Sequence, residues 1–555
     1  MRRLTRFGVI IAAGLLAAAC SSSSPSNTGA AAGKNSVLTI SNENGALWTC
    51  GFNPFNGSDT LVSVGFVYEP LVYVNPLQNG ATTPMLATSW TWGPGNKSLT
   101  FDIRQGVKFT DGTPLTAADV AYTFDLLKKY PALDLTGVWS VLSSVTQTGQ
   151  YQVTLNFSTP AVPWFYYIAD QTPIVPEHIW SKIANPVSYP DAHPVGSGPY
   201  EVNPCTPANI TYTANPHYWQ PGEPHIQTLK YPAFTSNNTA NDELATGQAQ
   251  WGAQYIPGIQ AFYTSKSPDF HYWFPPVLNV ALVPNLTNPL LSNVLIRQAM
   301  AYAINRPQVS NIGESGYEPA ANQAGIVTPT YSGWLDTSQL ASDGGYGYDP
   351  AKAKQLLAQA GYHLGSDGIM VNAKGQKLEF SVINIGDYSD WVADMQVISQ
   401  DLKAVGIQVT PQNLTNTDYD ADLFPGNFQL AYVEQQTIGP GPYYELNDWL
   451  NSADTAPIGK TAATNYERYN NAATDALLNQ YAATTSTATQ HSIVDQLEQV
   501  MLTQVPLIPV TEGVDWYQYD TASFTGWPTP SDPYAQPPVW AYPDNEQVLL
   551  HLRPR

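Results

Sequence analysis

The sequence predicts an α/β protein of several domains. Its 555 residues are too many for a single hydrophobic core. Residues 378–414 alternate a strand, LEFSVINI, a helix, WVADMQVISQDLKAV, and a second strand, GIQVTPQNL. This order is typical of a lobe whose sheet is at least partly parallel. An earlier stretch, 99–127, has the order strand, turn, helix, so both element types occur in both halves of the chain.

The stretch 99–127 predicts a strand followed by a capped helix. Apolar Leu99 and Phe101 alternate with polar neighbours, which predicts a half-buried strand. Thr116 precedes a helical apolar pattern, and Asp119 follows three residues later, close to a capping box. We interpret this segment as scaffold without ligand contacts.

Composition and motifs argue against several classes of function. The formal net charge is −21 and there is no long basic run, which argues against nucleic-acid binding. The motifs HExxH and GxSxG are absent, and the sequence GKT at 459–461 has Asp454 where a P-loop needs its first glycine. The eight histidines do not cluster at metal-ligand spacings. The sequence therefore predicts no catalytic residues, no metal and no cofactor.

The first residues predict export and lipid anchoring. Residues 1–19 carry three early arginines and a short apolar run, as a signal peptide does. Three alanines precede Cys20, which resembles a lipobox, so we expect Cys20 to be lipidated and 20–36 to be a flexible tether. The alternative is an ordinary secretory signal in which Cys20 is incidental.

Two further cysteines, Cys50 and Cys205, remain after the signal peptide. An exported chain enters an oxidising compartment, where two thiols in one chain tend to pair. We therefore expect a disulfide between them. The alternative is two buried free cysteines.

Several motifs resemble one family in the same order along the chain. LATSWTW and the following LTFDIRQGVKFTDGTPLTAADVAYTFD lie within 86–125, and VGSGPYEV at 195–202 resembles a Gly-x-Gly-Pro-Tyr turn. NLTNPLLSNVLIRQAMAYAINR at 285–306 and VMLTQVPLIPV at 500–510 continue the match. The chain resembles the extracytoplasmic solute-binding proteins of family 5, the dipeptide- and oligopeptide-binding lipoproteins of ABC importers.

The resemblance implies a two-lobed α/β fold of the periplasmic-binding-protein type II-like class. An extra domain is inserted in the first lobe, and the ligand binds in the cleft between the lobes. The implied limits are 1–19 for the signal peptide, 20–36 for the tether, 37–78, 195–288 and 506–555 for lobe I, 79–194 for the inserted domain, and 289–505 for lobe II.

The resemblance also implies a function. The protein would be a monomeric, non-enzymatic component of an ABC importer, held outside the cytoplasm by its lipid anchor alone. It would capture an oligopeptide and deliver it to the permease subunits. A neutral solute such as an oligosaccharide is the main alternative ligand. A secreted hydrolase is a remote alternative, because no catalytic motif supports it.

The segment FQLAYVEQQTIGPGPYYELNDWL bears on the ligand. Oligopeptide-binding relatives carry a Trp and an Asp before a Pro here, and the Asp pairs with the amino terminus of the ligand. When Pro442 is aligned with that Pro, Gln435 takes the place of the Trp and Ile438 that of the Asp. The usual ion pair is therefore absent or moved, with Glu434 or Glu512 as possible replacements.

The resemblance and the many aromatic and amide side chains suggest a set of ligand contacts. The segment after the signature helix, which holds Trp139, carries an aromatic facing the cleft in relatives. The loop near residue 50 points at the ligand in relatives. The residues expected to contact the ligand are Trp48, Asn53 and Glu512 on lobe I, Trp139 on the inserted domain, and Gln435 and Gln436 on lobe II.

Overall fold

The structure is a computed structural model that describes residues 36–42, 46–342, 345–434 and 439–555. The predicted signal peptide and Cys20 lie outside these residues, as does all of the tether except its last residue. In the part of the chain that the structure describes, every helix is too short or too polar to cross a membrane.

The strands alternate with helices along most of the chain. In chain order the strands are β1 (Val37–Ser41), β2 (Val72–Asn75), β3 (Ala81–Pro84), β4 (Ala87–Trp92), β5 (Ser98–Ile103), β6 (Leu142–Gly149), β7 (Gln152–Phe157), β8 (Tyr200–Thr206), β9 (Asn209–Ala214), β10 (Thr228–Pro232), β11 (Trp251–Gly252), β12 (Phe270–Tyr272), β13 (Pro276–Pro284), β14 (Tyr362–Leu364), β15 (Met370–Asn372), β16 (Glu379–Ile385), β17 (Gln408–Leu414), β18 (Leu430–Glu434), β19 (Ile508–Val514), β20 (Gln518–Asp520), β21 (Phe524–Thr525) and β22 (Arg553–Pro554).

The longer helices lie mainly in the second half of the chain. In chain order the helices are α1 (Thr60–Ser63), α2 (Ala117–Lys129), α3 (Glu177–Trp180), α4 (Asn237–Ala245), α5 (Ile259–Phe262), α6 (Val294–Ala303), α7 (Arg306–Ile312), α8 (Thr337–Ser342), α9 (Pro350–Gln359), α10 (Ser389–Ala404), α11 (Asn416–Leu423), α12 (Pro442–Leu450), α13 (Ala472–Ala482), α14 (Thr487–Gln504) and α15 (Asp544–His551).

A seven-stranded sheet brings together distant parts of the chain. Its order is β12-β20-β11-β1-β10-β9-β8. Strand β1 runs parallel to β10 and β11, whereas β20 pairs antiparallel with β11 and β12. The first and last strands of this sheet in sequence therefore share one core, as the first lobe of the predicted fold requires.

A four-stranded antiparallel sheet, β4-β5-β7-β6, lies between β1 and β8 in sequence. Leu99 and Phe101 on β5 are fully buried, which confirms the alternation. At the start of α2, the Thr116 hydroxyl accepts a hydrogen bond from Ala118 N, and Asp119 accepts one from Thr116 N. The predicted capping box is therefore confirmed.

The second large sheet has five strands in the order β17-β16-β18-β13-β19. Strand β16 is parallel to β17 and β18, so the predicted strand–helix–strand unit is confirmed, with α10 as its helix. Strands β13 and β19 pair antiparallel in this sheet. The predicted limits assign both strands to lobe I, and β13, which is buried along its whole length, has a partner strand on each side. The domain limits stay predictions.

Cys50 and Cys205 form a disulfide, with Cα atoms 5.8 Å apart. It ties the loop before α1 to strand β8. Nearby, Trp48 N donates a hydrogen bond to Pro207 O at 2.9 Å. The disulfide joins two residues that are 155 positions apart in the sequence. In the chain-entropy model a loop of this length restricts the unfolded chain by about 5 kcal/mol.

A buried polar pair lies between β13 and β19, the last two strands of the five-stranded sheet. Glu512 on β19 stands opposite Asn279 on β13. The Glu512 side chain is fully buried, and its Oε1 accepts hydrogen bonds from N and Oγ1 of Thr328, each at 3.0 Å. Its Oε2 has no hydrogen-bond partner among the residues that the structure describes. Burial raises the pKa of Glu512 to about 8.

The disulfide gives the first prediction. Replacing both cysteines, Cys50→Ser with Cys205→Ser, should lower the free energy of unfolding by about 2–5 kcal/mol, because the unfolded chain regains its freedom. Guanidinium unfolding of the double variant and of the wild type, each with and without reductant, measures the difference. Reductant should lower the free energy of unfolding of the wild type and leave that of the double variant unchanged. Two free thiols titrated in denatured, unreduced wild-type protein would contradict the bond.

The buried carboxyl of Glu512 gives a prediction about pH. Its pKa is raised from 4.5 in the unfolded chain to about 8 in the folded protein. Its contribution to stability is therefore complete below pH 4.5 and is lost as the pH rises towards 8. Glu512→Gln should raise the melting temperature relative to wild type by more at pH 8 than at pH 5. Glu379→Gln, at an exposed position, is the control. An equal change in melting temperature for Glu512→Gln at pH 5 and at pH 8 would refute the argument.

Candidate functional site

The structure has a cavity with a volume of about 990 Å³. Three separate parts of the chain line it. Residues 134–171 form one side, 443–482 form another, and 536–542 close the remainder. A cavity of this size could bury a solute of several rings or residues.

Aromatic side chains form much of the wall. The rings of Trp164 and Tyr167 lie 5.2 Å apart, and Tyr444 meets Tyr167 edge to face at 5.8 Å. On the other side, Tyr443 stacks on Tyr481 at 4.1 Å. These rings offer flat apolar faces together with hydroxyl groups, which suit a solute of mixed polarity.

Hydrogen bonds join the two main walls. The Tyr444 hydroxyl donates to Pro163 O at 2.8 Å, and Val162 N donates to Ala482 O at 3.1 Å. Asn96 Nδ2 donates to Ala483 O at 3.0 Å. The segment around 162–167 and the helices α12 and α13 are therefore held together around the cavity.

A ladder of polar side chains follows α12 along the cavity. Asn447 Oδ1 accepts hydrogen bonds from the Tyr443 hydroxyl and from Asn451 Nδ2, at 3.4 and 3.3 Å. Asn447 Nδ2 donates to Asp454 Oδ2 at 3.4 Å. Burial raises the pKa of the Asp454 carboxyl. These long, weak bonds leave the amides able to exchange partners with a ligand.

The start of α12 is fixed by local sequence. Pro442 occupies the first helical turn, and Gly441 before it has a φ of 150°, which favours glycine. A Cβ atom on Gly439 would lie 2.3 Å from the Tyr444 ring, so only glycine fits there. Gly439 O accepts a hydrogen bond from the Tyr331 hydroxyl at 2.6 Å. These contacts set the direction in which Tyr444 faces the cavity.

Gln536 lines the third part of the cavity and is only 4% exposed. Its Nε2 donates to Asp515 Oδ2 at 3.2 Å, and its backbone N donates to Asp544 Oδ1 at 2.7 Å. Burial raises the pKa of Asp544 to about 7. Two buried carboxyl groups therefore hold Gln536 in place at the cavity surface.

The predicted contacts on lobe I lie in protein packing. Trp48 is 9% exposed, and its Nε1 donates to Tyr231 O at 2.9 Å. Asn53 is fully buried, and its Nδ2 donates to Pro186 O and Tyr189 O. Neither residue is among those that line the cavity. Their role as ligand contacts stays a prediction.

The structure places the other predicted residues as follows. Trp139 donates from Nε1 to Phe124 O at 2.7 Å, and the Lys128 ammonium lies 4.4 Å from its ring centre. The neighbours of Trp139 in sequence, among them Gly137 and Ser140, line the cavity, whereas Trp139 does not. Glu512 is buried in the sheet, and Gln435 and Gln436 lie outside the described residues.

Sequence reasoning missed most of the residues that form the cavity. Two aromatic runs, WFYY at 164–167 and YY at 443–444, were the available signal, because clustered rings at one place exceed what a core usually needs. The remaining wall cannot be found from any one segment, since three distant segments meet there. The missed residues include Trp164, Tyr166, Tyr167, Tyr443, Tyr444, Asn447, Gln536 and Trp540.

Known proteins of similar sequence bind solutes. The glutathione-binding protein GsiB of Escherichia coli O6:K15:H31 (strain 536 / UPEC) is 29% identical over 343 residues, 60% of this chain and 62% of the relative. The chain thus spans about three fifths of that protein's length. The protein of the same name from Shigella dysenteriae serotype 1 (strain Sd197) is 25% identical over 471 residues, 82% of this chain and 86% of the relative.

Solved structures have the same fold. The periplasmic oligopeptide-binding protein of an oligopeptide ABC transporter from Thermotoga maritima matches with a TM-score of 0.85 and 27% identity, over 94% of this chain and all of that one. Its mannohexaose-bound structure matches with a TM-score of 0.78 and 27% identity, over 94% and 99% of the two chains. These likenesses confirm the predicted two-lobed α/β fold.

A family model described as bacterial extracellular solute-binding proteins, family 5, matches residues 81–457. This match covers more than half of the sequence and agrees with the order of motifs along it. The chain therefore belongs to the bacterial extracellular solute-binding proteins of family 5.

Proposed function

We propose that the protein is the substrate-binding component of an ABC importer and captures an oligopeptide in the cavity of about 990 Å³. The observation that carries this proposal is the cavity itself, which has aromatic and amide walls, in a chain of a solute-binding family. The similar proteins are named for glutathione and oligopeptide binding, which supports a peptide ligand.

The walls suit a peptide because they combine ring faces with neutral hydrogen-bonding groups. Asn447, Asn451 and Gln536 offer both donors and acceptors to peptide groups. Each such hydrogen bond contributes about 0.5–1.5 kcal/mol net. The rings of Trp164 and Tyr443 add buried apolar area, which contributes a similar or larger amount per residue.

A second candidate ligand is an oligosaccharide. Rings and amides also bind sugar faces and hydroxyls. The mannohexaose-bound structure of the Thermotoga maritima protein, at 27% identity, favours this candidate. The lobes, the cavity and the transport role are the same under both candidates.

The proposal also covers the location, the anchor and the partner of the protein. A family of extracellular solute-binding proteins supports a place outside the cytoplasm and binding without chemical turnover. We further propose that Cys20 carries a lipid anchor, that the protein works as a monomer, and that the permease is its partner. The domain limits predicted from the sequence belong to the same proposal.

The ligand proposal is tested at Trp164. This half-buried residue lines the cavity, so Trp164→Ala should weaken ligand binding about 10- to 100-fold through lost buried area. Calorimetric titration of a peptide library and an oligosaccharide series measures the effect. Trp92→Ala is the matched control, because Trp92 is half-buried on β4 and is not one of the residues that line the cavity.

Three results would contradict the function. Equal weakening by both tryptophan variants would place the site elsewhere. Tight binding of sugars with none of peptides would favour the second candidate. Chemically altered solute recovered from the native protein, with intact solute from a heat-denatured control, would show turnover.

The anchor is tested by fractionating cells that produce the full-length chain. Wild-type protein should sediment with the membranes, and Cys20→Ala should move it to the soluble fraction, because the acyl chains attach to that thiol. A serine in the tether, replaced as Ser22→Ala, is the control and should have no effect. Wild-type protein found wholly in the soluble fraction would end this proposal.

A further inference from the structure

The ionisable side chains that line the cavity are of one sign. They are carboxylates, and no lysine, arginine or histidine lines the cavity among the described residues. Such a wall repels anions and concentrates cations, because a low-dielectric cleft focuses the field of its charges. The carboxylates are Asp134, Asp448, Asp454 and Asp475.

Asp454 is the most informative of these carboxylates. It is half-buried and lines the cavity, and burial raises the pKa of its carboxyl. Asn447 Nδ2 donates to it at the long distance of 3.4 Å, and Asn451 is a further side-chain donor. A desolvated carboxylate with weak donors gains most from a cation or a strong donor brought by a ligand.

Asp475 stands on the same wall. Ser452, two residues before Asp454, donates from both N and Oγ to the Asp475 carboxylate. These bonds fix Asp475 at the start of α13 against the loop that follows α12. The two carboxylates therefore belong to one local unit and act on the same side of the cavity.

The segment that contributes this wall also holds cationic residues, but they do not line the cavity. Between 442 and 482 the sequence has two cationic residues, Lys460 and Arg468. Lys460 is exposed, and Arg468 Nη2 donates to Phe424 O at 2.8 Å while its Nη1 donates to Asn465 O. Neither lines the cavity. A positive charge facing Asp454 must therefore come from outside this wall.

Aromatic rings give the cavity a second means of attracting a cation. Trp164 and Tyr443 also line the cavity, and the face of an aromatic ring attracts ammonium and guanidinium groups. Carboxylates together with ring faces are suited to an organic cation. They are poorly suited to a free carboxylate, which would find no partner of opposite charge on this wall.

We propose that the wall of Asp454 and Asp475 binds the positively charged part of the solute and makes the protein selective for basic peptides. This inference rests on the proposed function and narrows its ligand class. An ammonium or guanidinium group lies at this wall, and the free carboxylate of the peptide lies away from it. The wall thereby supplies the anchor that Ile438 cannot provide.

The test is competitive retention from a defined mixture. Wild-type protein is dialysed against equimolar tri- to hexapeptides of three matched series, Lys–Ala, Gln–Ala and Glu–Ala, together with mannohexaose, and the retained solutes are quantified by mass spectrometry. The Lys–Ala series should exceed the Glu–Ala series by about tenfold or more. Added salt should reduce that ratio, because it screens charge attraction.

Variants locate the effect. Asp454→Asn keeps the shape of the side chain and should narrow the ratio of Lys–Ala to Glu–Ala peptides to about threefold or less. Asp242→Asn removes the same charge from an exposed site on α4 and should leave the ratio unchanged. Asp475→Asn serves as a second variant, and melting curves check that all three proteins are folded.

Each other outcome counts against the inference. Equal retention of the three series, or a ratio that Asp454→Asn leaves intact, overturns the basic preference while the peptide-binding function stands. Retention of mannohexaose alone, or of no solute at all, overturns the preference and the proposed peptide ligand together.

Discussion

The structure depends on the pairing of β13 with its two neighbours. This strand is buried from end to end, and it joins β18 on one side and β19 on the other. Glu445 on α12 accepts hydrogen bonds from N and Nδ2 of Asn279 on β13, at 2.7 and 3.0 Å. The helix that forms one wall of the cavity is thus attached to β13. The position of the cavity follows from the sheet and not from the loops around it.

The cavity combines two kinds of group that rarely occur together in a core. Rings such as Tyr443 and Tyr444 are buried against one another, yet carboxylates such as Asp454 line the same cavity, and no cationic side chain lines it among the described residues. In a protein interior this arrangement would be costly. It becomes favourable when the space is filled by a solute that brings the missing donors. The chemistry of the wall therefore carries information about the solute that the fold alone does not.

Local rules predicted the scaffold and failed at the cavity for physical reasons. Thr116 and Asp119 cap their helix as expected, because capping depends on residues close in sequence. The pairing of Cys50 with Cys205 was expected from compartment and number. Trp139, however, turns its ring towards Lys128, because a position near the cavity does not decide which way a side chain points. The cavity walls come from three distant segments, and no local pattern reports such a meeting.

The hydrogen bonds between the walls have a consequence for kinetics. Tyr444 to Pro163, Val162 to Ala482 and Asn96 to Ala483 all join the segments on opposite sides of the cavity. Two of the three acceptors lie just at or after the end of α13, and each of the three is a backbone carbonyl, so side-chain variation there would leave the acceptors in place. Separating the walls breaks all three bonds together, so any route into or out of the cavity that parts the walls must break them. This part of the molecule then sets how fast the cavity opens, and with it the rates of both capture and release.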